Sequence, residues 1–181
     1  VLLQLHDPKM LAHRVAVLDH LAEGRFQFGI GTGGTHTDFE FFGIEREKRH
    51  AVAVDVMETV LKIWEADGPL DYQGEFHHVT SPTPMPDIGL GLWFKPYTKP
   101  HPTIAVGGVG PNSPSLEWAG EHGWIPLSLN LPTLKHVRTH WEAYEQGAAK
   151  AGRVPDRRNW RVCMDIHVAE TTEEARNDVL N

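Results

Sequence analysis

The chain has 181 residues, with 17 Lys and Arg against 24 Asp and Glu for a net charge of −7, 40% hydrophobic residues, 17 Gly, 13 Pro and one Cys. This composition suits a globular chain able to bury a core, so global disorder is excluded, and an acidic balance with no basic run argues against nucleic acid or an anionic membrane as partner. The lone Cys163 excludes an internal disulfide framework and any multi-cysteine metal site; with no run near about 18 apolar residues, no membrane span is expected and the cytoplasm is the expected location.

Residues 1–6 form a short apolar run that reads as a buried strand, although periodicity alone does not separate it from a helix fragment. Asp7-Pro8 is a helix start: Asp7 can accept from a free backbone N–H, and Pro8 loses nothing in a first turn. Leu11, Val15, Leu18 and Ala22 continue that helix at three- and four-residue steps, and Gly24 stops it. Residues 25–31 alternate Phe26, Phe28 and Ile30 with Gln27, Gly29 and Gly31, which predicts a strand with one greasy face and one small or polar face. After a Gly- and Thr-rich connection, residues 45–66 predict a helix with Val52, Val56, Val60 and Ile63 in one stripe, ended by Gly68-Pro69.

Seven of the 13 prolines fall between Pro69 and Pro102, so no helical stripe runs there. Residues 70–102 read as a Pro-rich insertion with a short hairpin around Tyr72 to Phe76 and with Trp93 suited to a lid. Alternation then resumes: strand 103–107, helix 113–122, strand 124–128, helix 132–151, strand 160–168 and a helix from Thr171, whose Thr171-Thr172-Glu173-Glu174 is a capped start. Five strands each followed by a helix imply a parallel sheet, either doubly wound or part of a (β/α)₈ barrel, with chemistry at the carboxyl ends of the strands.

Two of those ends are rich in glycine. Gly29-Ile30-Gly31-Thr32-Gly33-Gly34 does not fit the dinucleotide fingerprint, because its spacing differs, residues 35–43 separate it from the next helix, and no acidic strand end follows. Its glycines would let a flat ligand or a phosphate approach the backbone; the plainer reading is a turn that redirects the chain. Gly107-Gly108-Val109-Gly110-Pro111-Asn112-Ser113-Pro114-Ser115 joins a strand to a helix, and Asn112, Ser113, Ser115 and the free N–H groups there make an anion site, with a phosphate as natural guest. The plainer reading is that Ser113 or Ser115 only caps the helix.

Of the 12 histidines, His136 and His140 stand four apart on a helix but lack the Glu of the zinc-protease motif, so they read as solvated helix residues and no metal is expected. His6 and His36 lie at or beyond strand ends, where an acid/base or donor role is chemically reasonable. Cys163 reads as a small packed strand residue, and the tryptophans other than Trp93 as core.

The segments Asp7-Pro8, Leu18-Asp19-His20-Leu21-Ala22-Glu23-Gly24-Arg25-Phe26-Gln27-Phe28-Gly29-Ile30-Gly31, and Phe41-Phe42-Gly43 with Arg49 beyond resemble the bacterial luciferase-like flavin monooxygenases. The likeness continues through Pro102 to Gly108, the Ser113 helix, and Arg153-Val154-Pro155-Asp156-Arg157-Arg158-Asn159-Trp160-Arg161-Val162. It covers nearly the whole chain, and the limonene-monooxygenase-type enzymes are nearest in texture.

The resemblance implies a luciferase-like (β/α)₈ barrel, present here as a partial barrel of about strands three to seven in one domain spanning 1–181. It also implies a site for reduced flavin mononucleotide (FMN) at the carboxyl mouth. By that resemblance Gly31, Thr32 and Gly33 lie near the flavin; Thr32 stands where the family often carries an Arg for the phosphate, so Arg49 or Arg46 is expected to supply the charge. Gly108, Asn112, Ser113 and Ser115 form the family's other phosphate contact, and His6 is the candidate catalytic residue.

The implied chemistry is reaction of reduced FMN with dioxygen and insertion of one oxygen atom into a small hydrophobic substrate, with a separate flavin reductase as partner, residues 70–102 as a lid, and a homo-oligomer as the full-length form. The alternatives are a deazaflavin-dependent oxidoreductase on the same fold, a non-catalytic flavin-binding barrel, and an inactive fragment. Val1 opens the chain without an initiator Met and Asn181 ends it within an expected helix, so both ends read as cut. An open arc of this kind is expected to be unstable or to aggregate alone.

Overall fold

The computed structural model describes residues 1–90, 94–129 and 133–180. Asp7 caps the first helix, α1 (Pro8–Leu21), its carboxylate accepting from the N–H groups of Lys9 at 3.0 Å and Met10 at 3.1 Å. Strand β1 (Gln27–Ile30) follows, then α2 (His36–Phe42) and α3 (Arg49–Glu65). A two-stranded hairpin, β2 (Asp71–Gln73) and β3 (His78–Thr80), precedes β4 (Thr103–Gly108), α4 (Pro114–His122), β5 (Ile125–Ser128), α5 (Leu134–Lys150), β6 (Arg161–Val162) and α6 (Thr172–Leu180). Strands β1, β4, β5 and β6 form one parallel sheet in that order.

The core lies between this sheet and the helices. Phe28 and Ile30 of β1 and Ile104 and Val106 of β4 turn one face to Leu11 and Val15 of α1 and to Val56, Val60 and Ile63 of α3. Trp64 closes the base, its indole N–H donating to the Ala12 carbonyl at 3.2 Å. The other face of β1 carries Gly29 and Gly31, and nothing lies within 4 Å of where a Cβ would stand on either.

Four expectations change. Residues 1–6 are not a strand throughout: Leu2 bridges Gly31 in parallel, then Leu3–Leu5 winds into a 3-10 turn. The connection after β1 contains α2, which has one buried apolar residue, Phe39, and therefore no stripe to betray it. The helix expected over 45–66 starts at Arg49, after a 3-10 turn over Arg46–Lys48. The last strand is two residues long rather than nine, and Cys163 lies beyond it and is exposed.

That last difference has a physical cause. The Cys163 N–H still reaches the Ser128 carbonyl at 2.8 Å, but beyond it the alternating Met164, Ile166 and Val168 have no strand beside them among the described residues, and Ile166 and Val168 are 83% and 82% exposed. An apolar unpaired edge is a template for association. The 181-residue chain alone is expected to self-associate, as measured by light scattering on size-exclusion chromatography; a monomer with one cooperative melt would refute this.

The Pro-rich insertion is held along the outside of α3 and at its carboxyl end. The buried Asp55 carboxylate accepts from the Glu75 N–H and meets His77 Nδ1, each at 2.6 Å, and so fixes the hairpin tip. Farther on, the Lys95 ammonium donates to the Trp64 and Ala66 carbonyls at the end of α3, while Thr98 donates to the buried Asp19 carboxylate of α1 through its N–H at 2.7 Å and its hydroxyl at 3.1 Å. In a β/α unit the helix carboxyl ends lie opposite the strand carboxyl ends. Lys95 and Thr98 therefore tie the end of the insertion to the side opposite the glycine-rich turns; Trp93, suited by sequence to a lid, lies outside the described residues. Asp55→Ala should cost about 1–3 kcal/mol by leaving the Glu75 N–H without its acceptor, read as faster hydrogen exchange over residues 70–81.

Candidate functional site

The two glycine-rich turns meet. Thr32, two residues past β1, and Ser115, in the first turn of α4, bring their hydroxyl oxygens to 3.3 Å across 83 residues of sequence. Gly33 follows at φ +67, where an added Cβ would stand 3.0 Å from the Phe39 ring and 3.1 Å from the Gln4 amide nitrogen, and that amide donates to the Thr32 carbonyl at 2.9 Å. Gly108 ends β4 where any side chain would collide: a Cβ there would stand 2.6 Å from Leu116 Cγ and 3.1 Å from the Ser113 hydroxyl.

Ser113 precedes α4 yet makes no side-chain capping bond, so the plain capping reading fails for it. Pro114 at the first position has no N–H and the Leu116 N–H donates to the Ser113 carbonyl at 3.0 Å, so this helix start offers the Ser113 and Ser115 hydroxyls and the Ser115 N–H, where the helix dipole favours an anion. Both serines are largely buried, at 6% and 7% exposure. Asn112 is arranged differently: it is exposed, at φ +49, and its N–H donates to the Thr139 hydroxyl at 2.9 Å.

Arg49 stands at the start of α3, and its neighbour His50 shares a groove of about 320 Å³ with Pro114, so both lie at the same end of the molecule as the serines. Its guanidinium donates to the Arg46 carbonyl at 2.8 Å. His6 lies just past the 3-10 turn, where burial, the amino-terminal charge and Arg14 together lower its pKa and favour the neutral ring. No described hydrogen bond joins His6 or Arg49 to the Thr32–Ser115 pair. Among the described residues no group of three or more His, Cys, Asp or Glu could hold a metal ion, and no helix is long and apolar enough to cross a membrane.

The sequence reading missed His140. It is fully buried rather than solvated, with both ring nitrogens engaged, by the Ser128 hydroxyl and the Gly110 carbonyl. The signal was available in its neighbours Trp141 and Tyr144, which mark that helix face as the inner one.

The groove beside Pro114 faces the helices and not the strand ends. His122 stacks on Trp124 with ring centroids 4.2 Å apart, and His50 sits edge-on to Trp118. Burial lowers both histidines from the ordinary 6.5, for His50 with help from Arg49 and for His122 against the opposing pull of Glu121. Bases with lowered folded pKa values leave stability intact above pH 6.5 and remove it as the pH falls below that, where the unfolded chain takes up protons that the folded chain refuses. The urea midpoint should therefore fall on acidification below pH 6.5, and a His50→Gln, His122→Gln double variant should flatten that fall; an identical slope in both proteins would refute the assignment.

A parallel β/α sheet whose glycine-bearing strand end meets a serine-bearing helix start defines a barrel-type β/α protein with its candidate site at the carboxyl ends of the strands. The family model for luciferase-like monooxygenases matches residues 1–181, and the chain belongs to that family. It is 33% identical to 2,5-diketocamphane 1,2-monooxygenase 2 of Pseudomonas putida, over 97% of this chain and 49% of the relative, and 32% identical to limonene 1,2-monooxygenase of Rhodococcus erythropolis, over 99% and 44%. Among solved structures, the oxygenating constituent of 3,6-diketocamphane monooxygenase from Pseudomonas putida, a type II Baeyer-Villiger monooxygenase in complex with FMN, superposes with a TM-score of 0.85 at 30% identity, over 99% of this chain and 50% of that one. The fold is thus an arc of the luciferase-like (β/α)₈ barrel, and the chain spans about half the length of the curated relatives it matches.

Proposed function

We propose that the protein containing this chain is a flavin-dependent monooxygenase that uses reduced FMN and dioxygen to oxygenate a small hydrophobic substrate. The observation that carries this reading is the Thr32–Ser115 contact, which joins two glycine-rich strand ends at the start of α4, beside the open face of Gly29 and Gly31. The residues fit the cofactor: the Ser113 and Ser115 hydroxyls and the Ser115 N–H at a helix start suit a phosphate, and a strand face without side chains suits a flat ring.

In this reading Gly108, Ser113 and Ser115, with Thr32 beside them, hold the phosphate. Gly31 leaves room for the ring and its ribityl chain, Gly33 supplies the left-handed turn beside it, Asn112 shapes the second turn, and Arg49 contributes positive charge. His6, kept toward its neutral form, is the proton-handling group. Bound reduced FMN would supply the electrons for oxygen activation, while the chain binds it, orients it and keeps water from it. A flavin reductase, a homo-oligomeric full-length form and a cytoplasmic location complete the proposal.

The test is oxygen consumption by the full-length protein with reduced FMN, with the bound cofactor identified from its absorption spectrum. Oxygen uptake with product formation supports the reading. Binding of a deazaflavin alone, with anaerobic oxidation of an alcohol, would replace it by the hydride-transfer alternative. His6→Asn is expected to lower kcat with little change in FMN affinity, in steady-state and binding titrations; unchanged kcat would remove His6 from the chemistry.

A further inference from the structure

The turn that carries the anion cradle lacks support of its own. Val109, Gly110, Pro111 and Asn112 are all exposed, and nothing lies within 4 Å of where a Cβ on Gly110 would stand. Two adjacent residues of α5 hold it. The Thr139 hydroxyl receives the Asn112 N–H at 2.9 Å and itself donates to the His136 carbonyl at 2.7 Å, while His140 Nε2 lies 2.8 Å from the Gly110 carbonyl.

The roles in this network are fixed by what each group can do. A carbonyl only accepts, so His140 carries a proton on Nε2 and donates it to Gly110; in the neutral ring Nδ1 then accepts the Ser128 hydroxyl proton at 2.9 Å. The Ser128 oxygen in turn accepts the Trp160 indole N–H, which can only donate, at 2.9 Å. The chain of bonds ties the turn after β4 to the end of β5 and the start of β6, and both His140 and Ser128 are 0% exposed. Fully satisfied buried networks of this kind hold one geometry.

We propose that Thr139 and His140 are positioning residues for the ligand's phosphate: from α5 they clamp Gly110 and Asn112, and so set the approach of Ser113 and Ser115 to the anion. The inference rests on the phosphate reading of that turn. It separates the two ring nitrogens of His140, because only the Nε2 bond reaches the turn.

The experiment uses the full-length protein and measures dissociation constants for FMN and for riboflavin, which has the same ring and no phosphate. His140→Gln can keep a donor at the place of Nε2, whereas His140→Asn can keep only the acceptor at the place of Nδ1. His140→Asn should weaken FMN about tenfold and riboflavin by less than about twofold, while His140→Gln should keep FMN affinity within about threefold. Both variants should lower Tm. Equal losses for FMN and riboflavin, or identical behaviour of the Asn and Gln variants, would make His140 a core residue only and overturn the inference.

If both His140 variants fail to fold, Thr139→Val decides: a loss confined to FMN supports the clamp, and unchanged FMN affinity overturns it. A wild-type protein that binds FMN no better than riboflavin overturns the phosphate reading itself and the inference with it.

Discussion

Gly147→Ala should destabilise the fold by about 3 kcal/mol or more, at the upper end of what overpacking costs. Gly147 on α5 and Gly120 on α4 are where the two helices cross, and there the backbones themselves touch. A Cβ on Gly147 would fall inside contact distance of the Glu117 carbonyl, and one on Gly120 would meet the Tyr144 carbonyl and stand 2.8 Å from the Ala148 nitrogen. Backbone atoms cannot rotate aside as a flexible side chain can, so the helices would have to separate.

Helix propensity works the other way, since Ala is favoured over Gly by about 1 kcal/mol in a helix interior. The exposed neighbour Gln146→Ala therefore serves as the control and should be neutral or slightly stabilising. Against a total stability of about 5–15 kcal/mol the Gly147→Ala loss is large, and it would appear as a lower urea midpoint with an unchanged slope. The salt bridges of Lys150 to Glu117 and Glu121 span the same crossing, but the lysine is exposed, so they do little to offset it. A Gly147→Ala midpoint equal to that of the wild type would show that α4 and α5 do not approach this closely.

That crossing was not legible in the sequence, and the reason is general to the chain. What repeats along one element was readable: the Asp7-Pro8 start, the α1 and α3 stripes, the greasy alternation of β1 and the Thr171 cap, whose hydroxyl accepts the Glu174 N–H at 3.1 Å. What depends on a second element was not. Gly120 and Gly147 look like weak points of two helices until the helices are laid together. His140 looks polar until the Gly110 carbonyl and the Ser128 hydroxyl are brought to it. The apolar run after Trp160 has a strand's alternation, yet pairing needs a neighbour, and among the described residues one exists only for Arg161–Val162. The glycine-rich turns were picked out singly as ligand-facing strand ends, and the family resemblance assigned both to one cofactor; the Thr32–Ser115 hydrogen bond appears only in the fold.

Ser115→Ala combined with Arg49→Ala should weaken FMN binding by more than about tenfold, equivalent to about 1.4 kcal/mol. Most of this is expected from Ser115. Its hydroxyl is nearly buried in the first turn of α4, where a hydrogen bond to a charged group contributes about 1.5–3 kcal/mol. Arg49 is only partly buried and its guanidinium already donates to the Arg46 carbonyl, so its contribution is a screened charge that fades as salt rises. The two arms are therefore separable by fluorescence-quenching titrations of the full-length protein at low and high ionic strength. The Arg49→Ala loss should shrink with salt and the Ser115→Ala loss should persist, and neither should be seen with riboflavin. Removing the Ser115 hydroxyl also leaves Thr32 without its partner, so Thr32→Val should reproduce only that smaller, indirect part of the loss. If the double variant binds FMN as tightly as the wild type, the phosphate lies elsewhere, and the meeting of the two glycine-rich turns is a packing contact between β/α units.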